Sequence, residues 1–248
     1  MACYANAREF LRAVEARYRA LDAYSDRGIV YAYARRPRKA DVQRLNRDRL
    51  VPGIAKRSFE QRVQSYRSIV ARLRGEPLMK EPFETAYRNT GEFRVVWTRA
   101  HPYPPLRHRR TLGVVGRDAQ GAYVFLRRPD GKESLRREDS LDLAVAASSS
   151  AAQTISALLF GPCHGGRLLE LRRIRFRGMR EIDGVDCLAV SGLGWRGGRV
   201  TAWFGTGDLM LRRLVEHRSR HEERRFDVRT ADLDPAIDFK APVVAEIA

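Results

Sequence analysis

Cys163 and His164 stand side by side in the segment Gly161–Gly166, and a thiolate beside an imidazole is the nucleophile arrangement of cysteine hydrolases. Neighbouring side chains of an extended segment point to opposite sides, so a catalytic pair needs a tight bend here. Pro162 and Gly165 permit such a bend but do not require it. The pattern favours a structural loop with a half-buried thiol, and no catalytic residue is predicted.

Three other motifs have simpler explanations in their local context. Ser148–Ser150 lack the Gly-x-Ser-x-Gly setting of a hydrolase nucleophile. Asp183 and Asp186 flank a tight turn, where Asp and Gly are favoured for backbone reasons. The glycine-rich stretch Gly192–Gly198 precedes a strand, whereas a phosphate-binding loop opens a helix. The sequence therefore predicts a protein that is not an enzyme.

The three cysteines, Cys3, Cys163 and Cys187, show no Cys-x-x-Cys spacing and no paired histidines. Zinc sites need such ligands at short spacings, so we predict no metal site and no cofactor. A disulfide between Cys163 and Cys187 stays open if the chain is exported. Two unpaired buried thiols are the slightly favoured alternative.

The net charge of +17 makes nucleic acid, acidic lipid and acidic protein candidate partners. Arginine is spread through every segment except Leu141–Gly166, and there is no lysine-rich tail. This even distribution disfavours a nucleic-acid partner.

Arg173, Arg175 and Arg177 alternate with the apolar Ile174 and Phe176. A period of two predicts that the three arginines share one face of a strand. Such a face is usually solvated, but a row of guanidinium groups also suits an anion. An anion-binding face is therefore kept as an alternative.

The elements that position these residues begin with an amphipathic helix. Ala5–Leu21 places its large apolar side chains on one helical stripe, and Asp26–Ala34 alternates as a strand. A helical insertion is expected over about 36–80, where Ser58–Gly75 has a capping-box start and a glycine end. Residues 1–248 are interpreted as one domain.

From Pro82 onward, strand and turn signals dominate, with turns roughly every 10–14 residues. The predicted strands include Phe93–Trp97, Ala122–Arg128, Ile174–Phe176, Val185–Val190, Arg199–Phe204 and Leu209–Glu216. The almost uncharged stretch Glu138–Phe160 interrupts them as one or two short helices. Helices at the start and middle, with strands around them, predict an α+β fold with a curved antiparallel sheet.

Large aromatic residues fall on different predicted strands: Phe93, Trp97, Phe125 and Trp203. Aromatic side chains in such places are normally core, and both tryptophans are expected to point inward because their neighbours are apolar. In a half-barrel, this core doubles as a ligand cavity.

The order of these elements resembles the LolA-like fold of periplasmic lipoprotein carriers, and especially the predicted periplasmic proteins of that superfamily. The resemblance is carried by Leu21–Val30, Phe83–Trp97, Thr154–Phe160, Glu181–Gly192 and Val200–Glu216. It implies an incomplete β-barrel with helices covering its concave face and an acyl chain between them. The helical insertion departs from the family pattern and alters the lid over the cavity.

The resemblance implies a non-enzymatic carrier or sensor that binds a lipid or lipoprotein acyl chain in an apolar half-barrel cavity. The candidate cavity residues are Phe93, Trp97, Phe125, Ile155, Leu158, Leu159, Phe160 and Trp203. Four of them, Ile155, Leu158, Leu159 and Phe160, fall in the predicted helical stretch that ends at Phe160, and this stretch would form an apolar lid over the cavity. The alternative is a basic module that binds an anionic polymer or membrane surface through Arg173, Arg175 and Arg177.

The resemblance also implies the periplasm. Met1–Glu15 carries charged residues where a signal peptide needs an apolar run, so a cytoplasmic location stays open. No stretch approaches the roughly 18 apolar residues that span a bilayer. Contact with a membrane is therefore expected to be peripheral.

Overall fold

The computed structural model describes residues 4–34, 75–100, 110–146, 170–194, 198–217, 222–232 and 238–242. These residues form the helices α1 (Ala7–Arg19) and α2 (Leu141–Ala146). They also form strands β1 (Ala23–Ala34), β2 (Met79–Arg88), β3 (Phe93–Ala100), β4 (Arg110–Asp118), β5 (Gly121–Arg127), β6 (Glu133–Glu138), β7 (Arg172–Ile182), β8 (Val185–Leu193), β9 (Arg199–Gly205), β10 (Leu211–His217) and β11 (Glu222–Asp232).

The strands form one 11-stranded sheet in the order β6-β5-β4-β3-β2-β1-β11-β10-β9-β8-β7. Neighbouring strands pair antiparallel throughout. Two meanders, β1–β6 and β7–β11, meet where β1 pairs with β11. Since β6 and β7 lie at opposite ends, the sheet is not closed into a barrel. The α+β class and the mainly antiparallel, open sheet are thus as predicted.

The two faces of the sheet differ in their packing. We call the side that packs against α1 and α2 the helix face, and the other side the opposite face. Buried side chains of both helices and of the helix face form one core cluster. Its sheet members include Val30, Phe83, Phe93, Val95, Trp97, Val115, Val124, Val190, Ala202, Phe204, Leu214, Phe226 and Val228. Side chains between these positions point to the opposite face, because strand side chains alternate.

Helix α1 begins at an asparagine cap. The Asn6 Oδ1 accepts hydrogen bonds from the backbone N–H groups of Arg8 and Glu9, each at 3.0 Å. The Glu9 carboxylate in turn accepts one from the N–H of Ala5 at 2.9 Å. This reciprocal arrangement satisfies helix N–H groups that lack an intrahelical partner and fixes the start of the predicted helix.

The apolar side of α1 lies against the β7–β9 half of the helix face. Phe10, Leu11, Val14 and Tyr18 are buried there. The Phe10 ring lies 5.8 Å from the Phe204 ring in an edge-on arrangement, a geometry that stabilises aromatic pairs. The predicted amphipathic helix is confirmed, and its apolar stripe is core.

The C-terminal segment, residues 238–242, packs on the opposite face. Phe239 is buried, and its carbonyl oxygen accepts a hydrogen bond from the Tyr123 hydroxyl at 3.1 Å. The Arg94 guanidinium donates to the Asp238 carbonyl at 2.8 Å. These contacts join the end of the chain to the β3–β5 hairpins.

Several predicted elements are only partly described. The strand β2 begins at Met79, and residues 36–74 of the predicted insertion lie outside the described residues. Helix α2 falls within the predicted helical stretch, whose continuation from residue 147 to 160 also lies outside them. No helix in the described ranges has the length and apolar character that a membrane crossing requires.

Candidate ligand site on the helix face

A row of four residues crosses β1, β2, β3 and β4 on the helix face. In the pairing register Gly28 lies opposite Phe83, Phe83 opposite Trp97, and Trp97 opposite Gly113. A Cβ atom on Gly28 would overlap the Asp227 carbonyl oxygen and the Phe83 ring, and one on Gly113 would overlap the Trp97 ring. Each ring therefore lies across the neighbouring strand, above its glycine and close to the backbone, instead of projecting away from the sheet.

This row forms what we call the aromatic floor: Gly28, Phe83, Trp97 and Gly113. Phe83 and Trp97 are 2% and 4% exposed. Phe93 and Val95 on β3 extend the floor along one strand, and both are fully buried. The glycines leave space for the two rings to lie over the neighbouring strands, so the floor is an apolar surface that crosses four strands.

A buried carboxyl group lies at one side of the floor. Asp26 stands directly across from Thr85, two residues before Gly28, and is 3% exposed. The Tyr24 hydroxyl donates a hydrogen bond to its Oδ2 at 2.7 Å, whereas Oδ1 has no hydrogen-bond partner. Burial raises the pKa of Asp26 from 3.8 to about 7, although Tyr24 and Thr85 partly offset this rise.

A second buried carboxylate lies at the other side. Glu81 is opposite Val30 in the register and is fully buried. The Arg99 Nε and Nη2 both lie 2.7 Å from the Glu81 Oε2, while Oε1 has no hydrogen-bond partner. The half-exposed Arg99 thus neutralises the charge of Glu81, but one acceptor oxygen at each side of the floor stays unsatisfied.

Tyr18 and Tyr24 join α1 to the sheet next to Asp26. The Leu211 N–H donates a hydrogen bond to the Tyr18 hydroxyl oxygen at 2.9 Å, and the two tyrosine rings are 5.6 Å apart. Burial raises the pKa of both tyrosines. Both hydroxyls therefore stay protonated at neutral pH and serve as hydrogen-bonding groups.

The structure divides the predicted cavity aromatics between the two faces, which corrects the expectation that they share one core. Phe93 and Trp97 lie on the helix face. Phe125 lies on the opposite face in a small cluster with Val114 and Tyr123. Trp203 also lies on the opposite face, because its neighbours Ala202 and Phe204 take the helix-face positions of β9. It is half-buried. A strand alternates its side chains, and only the register reveals which set faces the helices.

The remaining cavity candidates, Ile155, Leu158, Leu159 and Phe160, lie outside the described residues. The sequence did not predict the polar groups beside the floor: Asp26 begins a predicted strand, and Glu81 falls between the end of the predicted insertion at about residue 80 and the strand signals from Pro82. An acidic residue at a strand position that alternates with apolar ones is the signal that could have identified them.

The predicted row of arginines on β7 is interrupted. Arg173 has φ of 54° and lies where the pairing with β8 shifts. Arg172, and not Arg173, therefore lies on the same face of the sheet as Arg175. A second shift lies between Phe176 and Gly178. Arg175 and Arg177 are exposed, and the Arg177 Nε donates to the Ser191 Oγ at 2.6 Å. Bulges explain the difference, because each inserts one residue and breaks the alternation.

The described ranges contain one cysteine, Cys187. Cys187 is a free buried thiol whose pKa is raised by loss of hydration, which makes it a poor nucleophile. In the described ranges, no three side chains of His, Cys, Asp or Glu converge as metal ligands. Cys163 and His164 lie outside those ranges.

No protein-family model matches this chain, and no curated protein matches it. Solved structures do resemble it. A DUF1329 family protein from Desulfovibrio piger aligns over 94% of this chain and 93% of its own, at 10% identity and a TM-score of 0.36. MucB aligns over 96% of this chain and 63% of its own, at 10% identity and a TM-score of 0.40.

A third solved structure, from Vibrio parahaemolyticus, is described as a "putative outer membrane lipoprotein-sorting protein domain". It aligns over 94% of each chain, at 6% identity and a TM-score of 0.36. At these scores the likeness is distant, and the function proposed below rests on the residues of this chain.

Proposed function

We propose that the protein is a non-enzymatic carrier or sensor that holds the acyl chain of a lipid or lipoprotein against the aromatic floor. The observation that carries this proposal is the row Gly28–Phe83–Trp97–Gly113, in which glycines let two aromatic rings lie flat on the sheet. In this proposal the sheet curves as an incomplete half-barrel, with α1 and α2 as part of the cover on its concave side. The compartment is the periplasm, as the sequence resemblance implies.

A flat ring offers more contact to an extended apolar chain than a ring seen edge-on. Each methylene removed from water contributes about 0.8 kcal/mol, so roughly ten methylenes along the floor contribute about 8 kcal/mol before the cost of association. Association costs at least about 4 kcal/mol, so ten methylenes alone give roughly millimolar binding. Micromolar binding needs about 4 kcal/mol more, from a longer buried chain or from hydrogen bonds beside the floor.

The acyl chain can reach the floor only if the residues that cover Phe83 and Trp97 move, because both side chains are buried. Helix α2 is suited to such a movement. It has six residues, and so short a helix has little stability of its own. Its buried residues Ala144 and Val145 are small, so a shift leaves no large void. The segment that carries Ile155, Leu158, Leu159 and Phe160 is proposed as the rest of the lid.

The unsatisfied oxygens of Asp26 and Glu81 indicate what kind of polar end fits beside the floor. Both are acceptors in an otherwise apolar layer, and a buried acceptor without a donor costs about 1–3 kcal/mol. A ligand with a hydroxyl or amide donor removes this cost, whereas a free carboxylate adds repulsion. A monoacylglycerol should therefore bind more tightly than the fatty acid of the same length at pH 8.

Two tryptophans on opposite faces of the sheet provide a test of acyl-chain binding at the floor. Trp97 lies in the floor and Trp203 on the other face. One variant, W195F/W203F, keeps only Trp97, and its partner, W97F/W195F, keeps only Trp203. Binding of a monoacylglycerol with a brominated chain should quench the fluorescence of Trp97, because bromine quenches indole on contact, and should leave Trp203 unchanged.

The two variants control for each other, since both have one tryptophan and receive the same probe. Circular dichroism must show that both are folded. Equal quenching of both tryptophans would mean binding without a site, and no quenching of Trp97 at saturating probe would refute the proposed function.

A further inference from the structure

The arginines of the edge strand β7 differ from those in the rest of the sheet. Most strand arginines elsewhere form ion pairs with Asp or Glu: Arg27, Arg88, Arg99, Arg127, Arg136, Arg137, Arg212, Arg213 and Arg225. β7 has five arginines, and none of them forms an ion pair within the described ranges. Within the described ranges, ion pairs therefore neutralise most strand arginines elsewhere, whereas all five on this edge strand, like Arg110 and Arg117 of β4, have none.

Register places most of this charge on the opposite face. Arg172, Arg175 and Arg180 of β7 are paired with Leu193, Ser191 and Cys187 of β8, and directly paired residues share a face. Arg177 points the same way, since it bonds the Ser191 hydroxyl. On β9, Arg199 is paired with Leu193 as well.

We call this set the arginine face: Arg172, Arg175, Arg177, Arg180 and Arg199. All five side chains are exposed. Loss of hydration, with the charges of Arg175 and Arg199, lowers the pKa of Arg177, so these cations already repel one another. Of the three acidic residues of the same hairpin, Glu181 and Asp186 are paired with each other on the helix-face side, and Asp183 lies in the turn. None of them forms an ion pair with the set within the described ranges.

The edge itself is unsuited to strand addition. β7 has two register shifts and positive φ angles at Arg173 and Gly178. Bulges and charged side chains on an edge strand prevent a further strand from pairing with its backbone. A partner of this edge must therefore be recognised by the side chains of the arginine face.

We propose that the arginine face docks the protein on an anionic phospholipid surface. From Arg172 to Arg180 the array extends about 26 Å at roughly 3.3 Å per residue, which is long enough to contact several headgroups of a flat membrane at once. Guanidinium groups bind phosphate oxygens in pairs of hydrogen bonds. The half-buried Trp203 lies on the same face, and tryptophan is favoured at membrane–water interfaces.

This inference goes beyond acyl-chain binding, since it concerns another face of the sheet and would hold without any bound lipid. It also gives a carrier a means of approaching the membrane from which it takes a chain. Binding through the arginine face should weaken strongly with salt, because exposed charges are screened over about 10 Å at 0.1 M ionic strength. Acyl-chain binding at the floor should change little.

The experiment measures co-sedimentation with two kinds of vesicle. One is phosphatidylcholine alone, and the other also contains about 30% phosphatidylglycerol, an anionic lipid that gives the surface a negative potential. The test variant is R175Q/R177Q/R199Q. The matched control is R110Q/R117Q/R128Q, which removes the same charge from exposed arginines of β4 and the β5–β6 turn. Thermal melts establish that all proteins are folded.

We expect the wild type and the control to bind anionic vesicles in 50 mM salt and to dissociate in 500 mM salt. Each arginine near an anionic surface contributes about fivefold to partitioning, so the test variant should lose roughly 100-fold. Equal losses in both triple variants would show that net charge alone attracts the protein, and would overturn the proposal. Binding to polyglutamate but not to anionic vesicles would also overturn it and identify an acidic polymer as the partner. Quenching of Trp97 by the brominated lipid is measured in parallel, so failure of docking and failure of the floor are distinguishable.

Discussion

The substitution Asp26→Asn tests whether the carboxyl group beside the floor is buried as the structure has it. Asn keeps an acceptor for the Tyr24 hydroxyl and nearly the same shape, but it removes the charge. Because burial raises the pKa of Asp26 from 3.8 to about 7, the folded protein binds this proton more tightly than the unfolded chain. The carboxyl group therefore favours the folded state at low pH and opposes it at high pH.

The sign and size follow from the two pKa values. The folded wild type should lose stability as pH rises from about 4 to about 7 and should lose no more from this group above that. One pKa unit corresponds to about 1.4 kcal/mol, so the difference between the wild type and the Asn variant should change by about 3 kcal/mol between pH 5 and pH 8. The variant should be the more stable protein at pH 8.

Urea unfolding followed by circular dichroism, at half-unit steps from pH 5 to pH 8.5, gives the free energy of unfolding of both proteins. Asp22→Asn is the control, since it makes the same chemical change at an exposed position of the same part of the chain. Parallel stability profiles for the wild type and Asp26→Asn would mean that Asp26 is hydrated, and would refute the buried arrangement of Asp26 and Tyr24.

Three further predictions concern other parts of the molecule. Gly113→Ala should lower the free energy of unfolding by about 2–3 kcal/mol, because the new Cβ overlaps the Trp97 ring; its thermal melt and its near-UV circular dichroism should both change. Tyr123→Phe should cost about 1 kcal/mol, since it removes one hydrogen bond to the C-terminal segment; faster amide exchange confined to that segment would locate the effect. Leu158→Glu and Leu159→Glu, made separately, should differ, with one abolishing uptake of a fluorescent fatty acid and the other having little effect; unfolding of both would make the segment ordinary core.

The sequence predicted the elements whose signals are local. Helix α1 has a continuous apolar stripe, and strand β1 alternates from Asp26 onward, so both were predicted close to their observed bounds. The β2–β3 hairpin has a turn with Gly91 at φ of 92°, and its Asn-Thr-Gly sequence is typical of such a turn. Each of these signals depends on neighbouring residues and needs no knowledge of the tertiary fold.

Strands β4, β6 and β11 had no such signal. Gly113 and Gly116 weaken the strand pattern of β4, and β6 is too short and polar to show an apolar alternation. The conformation of β11 is fixed by its pairing with β1 and β10 rather than by its own sequence, which is rich in charged residues. Such strands form because their neighbours supply the hydrogen bonds and the buried face.

The aromatic floor shows why the site itself was only half predicted. A glycine in a sequence segment normally counts against predicting a strand there, since it lacks a side chain to pack. Here Gly28 and Gly113 are required where they are, because Phe83 and Trp97 lie across their backbones. Whether a glycine weakens a strand or accepts a ring depends on the residue opposite it, and that register is set by pairing between strands that are distant in sequence. Gly28 and Phe83 are 55 positions apart, so no local pattern joins them. A substitution that only fills the space above a glycine therefore tests the register and the floor together, which no substitution of Trp97 alone can do.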